Sequence, residues 1–217
     1  MDNAYGHEGN YSTSMFGDAA AAQVMAHDPS LGPLFMYIAF NAMHAPVSLP
    51  DDFTESDDYA TITEGLTWSK RKEFAAGLWV GDQAIKNVVV SLKARGMYED
   101  TVIIATSDNG GPSNSAGGPN GANNYPLRGY KGNVFDGGMR VPAFIHYPNG
   151  GPAMNGTVID HVFHAADWYP TLVNGLAGKD WSLGSDGVNQ WDMVVGAVEG
   201  PVRNETLLWL DYMSSGW

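Results

Sequence analysis

The feature that most constrains this chain is residues 101–111, where a short apolar run ends abruptly in polar residues. The run is rich in β-branched side chains, which predicts a buried strand of a parallel sheet. It is followed directly by Asp108 and Asn109 and then by two glycines. Ligands gather at the carboxyl ends of strands in open α/β sheets, and carboxylate and amide oxygens suit Ca²⁺ or Mg²⁺. An ordinary Asn-Gly turn fits the same residues, so this pattern alone leaves both interpretations open.

Hydrophobic periodicity along the rest of the chain predicts further strands and helices of an α/β domain. Continuous apolar runs indicate strands, and apolar residues at helical spacing indicate helices. Strands are predicted at 34–40, 101–106 and 141–147, helices at 14–25, 69–95 and 166–176, loops at 47–66 and 110–125, and the start of another strand at 206–212. The strand–helix–strand order across residues 34–106 implies a right-handed parallel crossover.

Net charge and cysteine content limit the kinds of partner and the chemistry that this chain can have. The 217 residues include 24 acidic and 11 basic residues, for a formal net charge of −13. Nucleic acid and anionic membrane surfaces are therefore not expected as partners, and an anionic substrate needs a metal ion or a local cationic cluster to hold it. The sequence contains no cysteine, so it has neither a disulfide nor a cysteine nucleophile. It also has no apolar run long enough for a transmembrane helix.

Three loops carry the residues of chemical interest. His44 follows the predicted strand 34–40, and Asp108 with Asn109 follows the predicted strand 101–106. Lys131 lies in a third loop that leads into the strand at 141–147. Together the loops would place an imidazole, a cation site and an ammonium group on one rim of the sheet. Taken singly, His44 would be an ordinary loop residue and Lys131 a solvated surface charge.

The loop motifs and their order resemble those of the type I sulfatases, especially the arylsulfatase B-like branch. The matching segments are Asn10-Tyr-Ser-Thr-Ser-Met-Phe16, Pro33–Phe40 with His44-Ala-Pro46, Asp82 onward in the long helix, Ser107-Asp-Asn-Gly-Gly111, Pro126-Leu-Arg-Gly-Tyr-Lys131, Asp136-Gly-Gly138 and Ala166-Asp-Trp-Tyr-Pro-Thr-Leu172. Each motif is weak by itself. The ordered set covers nearly the whole chain.

The resemblance implies a fold, a metal and a set of site residues. The fold would be α/β, with the alkaline-phosphatase/sulfatase-like, mainly parallel sheet flanked by helices, here incomplete. Asp108 and Asn109 would ligate a divalent cation, Ca²⁺ rather than Mg²⁺. His44 and Lys131 would be the catalytic residues that contact the sulfate ester. The other charged residues of the third loop, Arg128 and Asp136 among them, would pin that loop in place.

Part of the family's pattern is missing. In the family the nucleophile is a formylglycine made from the Cys or Ser of a C/S-x-P-x-R motif, and this motif is absent here. Two further features are also absent: the acidic pair that supplies the first metal ligands, and the Lys and His that follow the nucleophile. We therefore expect residues 1–205 to form the central and late part of a sulfatase catalytic domain and residues 206–217 to begin a truncated C-terminal subdomain. On this interpretation the isolated chain is inactive and its natural partner is the missing N-terminal portion of the same protein.

Three functional hypotheses remain open at this point. In the first, the parent enzyme hydrolyses sulfate esters of a small aryl compound or a sugar. In the second, the protein is a catalytically inactive, sulfatase-like extracellular or binding protein. In the third, it is a phosphodiesterase or phosphonate hydrolase of the same superfamily. N-glycosylation sequons at Asn10, Asn155 and Asn204 favour a secreted, lysosomal or other extracytoplasmic location.

Overall fold

The structure of the chain, a computed structural model, describes residues 9–112, 120–180, 184 and 186–207. The chain divides into two compact units. The first comprises the residues up to 101 together with 105–144, and the second comprises 102–104 and the residues from 145 onward. No helix within the described ranges is both long enough and apolar enough to cross a membrane.

Helices form most of the regular secondary structure of the first unit. They are α1 (Ser12–Ala26), α2 (Asp57–Ile62), α3 (Ser69–Ala94) and the short α4 (Asp136–Met139). The principal packing contact joins α1 to α3 and buries Val24 and Val80 almost completely. The two helices touch at Gly17, where a Cβ atom would lie 2.6 Å from the Cβ of Ala84. The predicted helices at 14–25 and 69–95 are thus confirmed, with small shifts of their ends.

Two strands, β1 (Ile103–Thr106) and β2 (Ala143–His146), form a two-stranded sheet. The backbone N–H of Ser107, just after β1, donates to the carbonyl oxygen of Pro142, just before β2, at 3.2 Å. The end of one strand therefore lies beside the start of the other, and the strands are antiparallel. The predictions of strands at 101–106 and 141–147 were correct in type. The strand at 101–106 is only half-buried, contrary to the prediction, and the pair does not form the predicted parallel arrangement.

Residues 34–40 are not a strand, contrary to the prediction. The segment has no hydrogen-bonded neighbour strand within the described chain, and Phe35 and Tyr37 are 79% and 84% exposed. An apolar run becomes a strand only where a partner satisfies its backbone groups. The parallel crossover predicted across residues 34–106 is therefore not formed. The loop predicted at 47–66 was also wrong in part, because a 3₁₀ turn (Phe53–Glu55) and α2 lie within it.

In the second unit, the helix predicted at 166–176 is a succession of three short helical types. A 3₁₀ turn (Ala165–Asp167) leads into α5 (Trp168–Pro170), which continues as a π-helix (Thr171–Leu176). Pro170 contributes no backbone N–H, which weakens regular α-helical pairing here. The unit also contains 3₁₀ turns at Pro148–Gly150 and Pro152–Met154 and the short helix α6 (Trp191–Val194). Most of the segment predicted to begin a subdomain at residue 206 lies outside the described residues.

A buried carboxylate organises the second unit. Asp167 is fully buried, and Arg203 donates to it through Nε at 3.0 Å and Nη2 at 2.6 Å. The carboxylate also accepts from the backbone N–H groups of His164 and Val188 and from the side-chain amide of Gln190. Burial by itself would raise the pKa of Asp167, but these donors outweigh it and hold the pKa below its usual value.

The Asp167 network predicts an acid-sensitive second unit. Because the folded-state pKa is lowered, the carboxylate stabilises the fold above the ordinary Asp pKa of about 4, and this contribution is lost as the pH falls through the folded-state pKa. Asp167→Asn leaves Arg203 without its counter-charge and should lower the free energy of unfolding at pH 7 by about 3–5 kcal/mol. Urea unfolding between pH 7 and about pH 3 measures both effects. The exposed Asp192→Asn is the matched control, and equal stability of the two variants would contradict the prediction.

Candidate functional site

Two predicted site residues, 87 positions apart, are in side-chain contact in the first unit. Nζ of Lys131 lies 3.5 Å from Nε2 of His44, at the outer limit of hydrogen-bonding distance. His44 Nδ1 lies 2.8 Å from the carbonyl oxygen of Ala45, which can only accept, so Nδ1 carries the proton. In the neutral ring, Nε2 is then an acceptor that faces the Lys131 ammonium group. His44 is exposed and Lys131 is half-buried, so an anion can reach the pair from solvent.

The turn that carries the predicted cation ligands directly follows β1. Oδ1 of Asp108 accepts from the backbone N–H of Asn109 at 2.9 Å, and Nδ2 of Asn109 donates to the carbonyl oxygen of Gly110 at 2.9 Å. Ser107 Oγ donates to the carbonyl oxygen of Asn109 at 3.0 Å. These short bonds fix the turn from within, and Asp108 remains exposed.

The turn at Asp108 and Asn109 contacts the third loop, which carries Lys131, through backbone atoms. Gly110 N–H donates to the carbonyl oxygen of Gly138 at 2.9 Å, and Lys131 N–H donates to that of Gly111 at 3.0 Å. A Cβ atom at Gly110 would lie 1.8 Å from the carbonyl oxygen of Gly137. No side chain fits at this contact, which explains why both loops carry paired glycines. The loop with the predicted cation ligands is thereby fixed to the loop that carries Lys131.

Asn124 joins these two loops with its side chain. Its Oδ1 accepts from Gly111 N–H at 2.8 Å, and its Nδ2 donates to the carbonyl oxygens of Gly111 at 2.9 Å and Gly129 at 3.2 Å. The amide thus satisfies backbone groups on both sides of the contact. The role of Asn124 is not evident from the sequence, because residues 110–125 have the composition of a single loop. The asparagine-rich run just before the Pro126–Lys131 motif was the available signal.

The loop of His44 is held by α3 and by a second asparagine. Nδ2 of the buried Asn120 donates to the carbonyl oxygen of Met43 at 2.8 Å. Gly77 of α3 lies under the same loop, where a Cβ atom would be 3.0 Å from the carbonyl oxygen of Ala42. Gly121 packs on the start of α3 and accepts from Nη1 of Arg71 at 2.8 Å. The segment 120–124 therefore fixes all three functional loops.

Of the charged residues expected to pin the third loop, Arg128 makes a side-chain contact within it, whereas Asp136 contributes through its backbone. The guanidinium of Arg128 lies 4.0 Å from the centroid of the Phe135 ring, which is a cation–π contact. The carbonyl oxygen of Arg128 accepts from Gly137 N–H at 2.7 Å, and that of Asp136 accepts from Arg140 N–H at 2.8 Å in α4. These contacts shape the backbone around Lys131.

Asp108 and Asn109 offer the right type of oxygen ligand for a cation site, but too few of them. Their oxygens are hard ligands of the type that Ca²⁺ prefers, but Ca²⁺ takes six to eight of them. Within the described residues, no group of three or more His, Asp or Glu side chains is arranged to hold a metal ion. The pair can therefore contribute to a cation site but cannot complete one.

Comparison with known proteins decides the family. The family model described as Sulfatase matches residues 2–178. The chain belongs to the sulfatase family. It is 36% identical over 194 residues to Arylsulfatase J of Mus musculus, covering 89% of this chain and 30% of that protein. It is 33% identical over 175 residues to a sulfatase of Formosa agariphila, covering 77% of this chain and 30% of that protein.

The sulfatase fold is also recognisable in three dimensions. The crystal structure of Ps i-CgsB matches with a TM-score of 0.74 and 31% identity, covering 86% of this chain and 39% of that one. The same protein has been crystallised in complex with k-i-k-neocarrahexaose. This chain therefore spans between three and four tenths of the length of these relatives, and it shows the sulfatase architecture only in part.

The Asn124 bonds predict that one amide holds the loops of this sulfatase-family site together. Asn124→Ala leaves the half-buried N–H of Gly111 unpaired and removes one of the two donors to its carbonyl oxygen, which also accepts from Lys131 N–H. It should lower the free energy of unfolding by about 1–3 kcal/mol. Hydrogen exchange of the Gly111 and Lys131 amides should accelerate with it. Asn123→Ala is the control, because Asn123 is exposed and its side chain bonds only Tyr125 N–H among the described residues. Unchanged exchange at both amides would refute this role.

Proposed function

We propose that this chain supplies one half of the sulfate-ester site of a sulfatase, with His44 and Lys131 as the residues that contact the ester. The contact between Lys131 Nζ and His44 Nε2 carries the proposal. It joins two residues that are far apart in sequence, are both named by the family resemblance and lie on loops held by dedicated backbone contacts. In a protein with net charge −13, such a local cation is what an anionic ester requires.

The geometry supports a role in charge stabilisation. The ammonium group of Lys131 has three N–H donors, of which one is directed at His44, so two can bind oxygens of a sulfate group. His44 holds the ammonium on one side by accepting at Nε2, and its ring lies beside the position proposed for the sulfate group. Negative charge on those oxygens grows or shifts as the S–O bond breaks, and donors fixed in advance stabilise it.

The rest of the active site belongs to the proposed parent protein. The parent would hydrolyse aryl or sugar sulfates with a formylglycine nucleophile and would complete the mainly parallel sheet that this chain lacks. A bound Ca²⁺, held partly by Asp108 and Asn109, would withdraw charge from the ester oxygens. An extracytoplasmic location is part of this proposal, and it is supported by the exposure of all three sequon asparagines, Asn10, Asn155 and Asn204.

Sulfate binding tests the proposed role of the pair. NMR titration of the chain with inorganic sulfate should shift signals of residues 44 and 131. Lys131→Ala should weaken binding about tenfold, because it removes a charge-assisted hydrogen bond. Lys86→Ala is the matched control: Lys86 is exposed, and its Nζ also has a 3.5 Å contact, to Oε1 of Gln83. An equal loss of sulfate affinity in the two variants would mean that sulfate binding depends only on the overall charge of the chain.

Calcium binding tests the Asp108 turn. We expect the chain to bind Ca²⁺ weakly, with a dissociation constant of about 10⁻³ M or higher, because two protein ligands leave most of the coordination shell to water. Asp108→Ala should abolish the Ca²⁺-dependent shifts of the Gly110 and Gly111 amides. Asp28→Ala is the control, since exposed Asp28 likewise accepts one backbone N–H at 2.9 Å, from Ser30. Retention of those amide shifts in Asp108→Ala would place the cation elsewhere.

A further inference from the structure

A cavity in the first unit adjoins the imidazole of His44. Its volume is about 190 Å³. Polar side chains form much of its wall, namely those of Tyr11, Ser12, Asn41, His44 and Ser48. We refer to it as the His44 cavity. None of the residues beyond His44 has a role in the binding of the sulfate group proposed above.

The size of the His44 cavity limits what can occupy it. Pockets for drug-sized ligands measure roughly 300–1,000 Å³. The smaller volume here suits a single six-membered ring. Because His44 forms part of the wall, a ring in the cavity would lie next to a sulfate group held by His44 and Lys131.

The chemistry of the wall favours a hydroxylated ring. Ser12 Oγ donates to Oδ1 of Asn41 at 2.9 Å, which fixes the orientation of the amide. Nδ2 of Asn41, with two N–H donors, has no protein acceptor among the described residues, and Asn41 is exposed. An amide oriented by a neighbour and left with free donors is suited to hydroxyl oxygens, and the ring of Tyr11 adds an apolar surface with a polar tip. A plain aryl ring would use only the apolar part of this wall.

We propose that the His44 cavity is the subsite for the sugar ring of a sulfated monosaccharide unit, and that Asn41 is its specificity-determining residue. This inference rests on the proposed function, because the ring is placed by the sulfate group bound at His44 and Lys131. It narrows the substrate class from aryl or sugar sulfates to sugar sulfates. Asn41 acts by donating hydrogen bonds to ring hydroxyls, and Ser12 acts on the ring only through Asn41.

Two probes separate this inference from the proposed function. The full chain is titrated with D-galactose 4-sulfate and with 4-nitrophenyl sulfate, and the dissociation constants are obtained from NMR chemical-shift changes. Both probes present the sulfate group, but only the first presents hydroxyl groups to the cavity. We expect Asn41→Ala to weaken binding of the sugar sulfate about five- to tenfold, the effect of one or two lost hydrogen bonds, and to leave binding of the aryl sulfate unchanged.

Two further variants complete the experiment. Ser12→Ala removes the hydroxyl group that orients Asn41 and should weaken sugar-sulfate binding about two- to threefold, because the amide remains but is less ordered. Asn87→Ala is the matched control: Asn87 is also exposed and bonds one side chain, Oδ1 of Asp18 at 3.3 Å, but it lies on α3 outside the cavity. It should change neither affinity.

The outcomes are distinct. Unchanged sugar-sulfate affinity in Asn41→Ala, or an equal loss for both probes, would overturn the assignment of Asn41 while leaving the proposed sulfate site in place. Binding of neither probe to the unsubstituted chain would overturn the proposed function and this inference together. A selective loss for the sugar sulfate, with Asn87→Ala unaffected, supports both.

Discussion

The candidate site depends on one place where two loops approach too closely for any side chain. Gly110 and Gly111 follow β1, and Gly137 and Gly138 lie within α4. Backbone hydrogen bonds join the two segments directly. Carbonyl and N–H groups brought together in this way satisfy each other, which makes the contact both close and directional. The position of Lys131 relative to Asp108 is consequently set by backbone geometry, which is more rigid than contact between long side chains.

The sequence indicated which loops to compare, whereas it misjudged part of the surrounding fold. Only the resemblance to the sulfatases distinguished His44, Asp108, Asn109 and Lys131 from ordinary loop residues. Their roles stay predictions, and the structure places His44 beside Lys131. The strand predicted at 34–40 failed for a reason that no local pattern contains. A segment becomes a strand only when it forms backbone hydrogen bonds with a neighbouring strand. The apolar run at 34–40 does not show whether such a neighbour is present.

The asparagine bonds show a second limit of sequence reasoning. Asn120 and Asn124 bond backbone groups distant in the chain, and Asn120 Nδ2 reaches Met43, 77 residues away. An asparagine in a Gly-rich stretch predicts a turn, because asparagine side chains most often bond to the backbone of turns. Asp167 was treated only as part of a motif, although its burial and its pairing with Arg203 are central to the second unit. Both roles depend on tertiary neighbours.

The surface position of the candidate site would allow this acidic chain to bind the anion proposed above. At physiological ionic strength, salt largely screens the repulsion from the net charge of −13 beyond about 8 Å. An ammonium group in contact with an anion acts over hydrogen-bonding distance and is screened much less. Lys131, half-buried and held against His44, therefore outweighs distant carboxylates for any anion that reaches it. His44 and Asp108 nevertheless remain exposed to water, which weakens each electrostatic interaction. Strong transition-state stabilisation requires a cover that excludes this water, so we expect the additional structure of a complete sulfatase to act as much by desolvating these residues as by adding ligands.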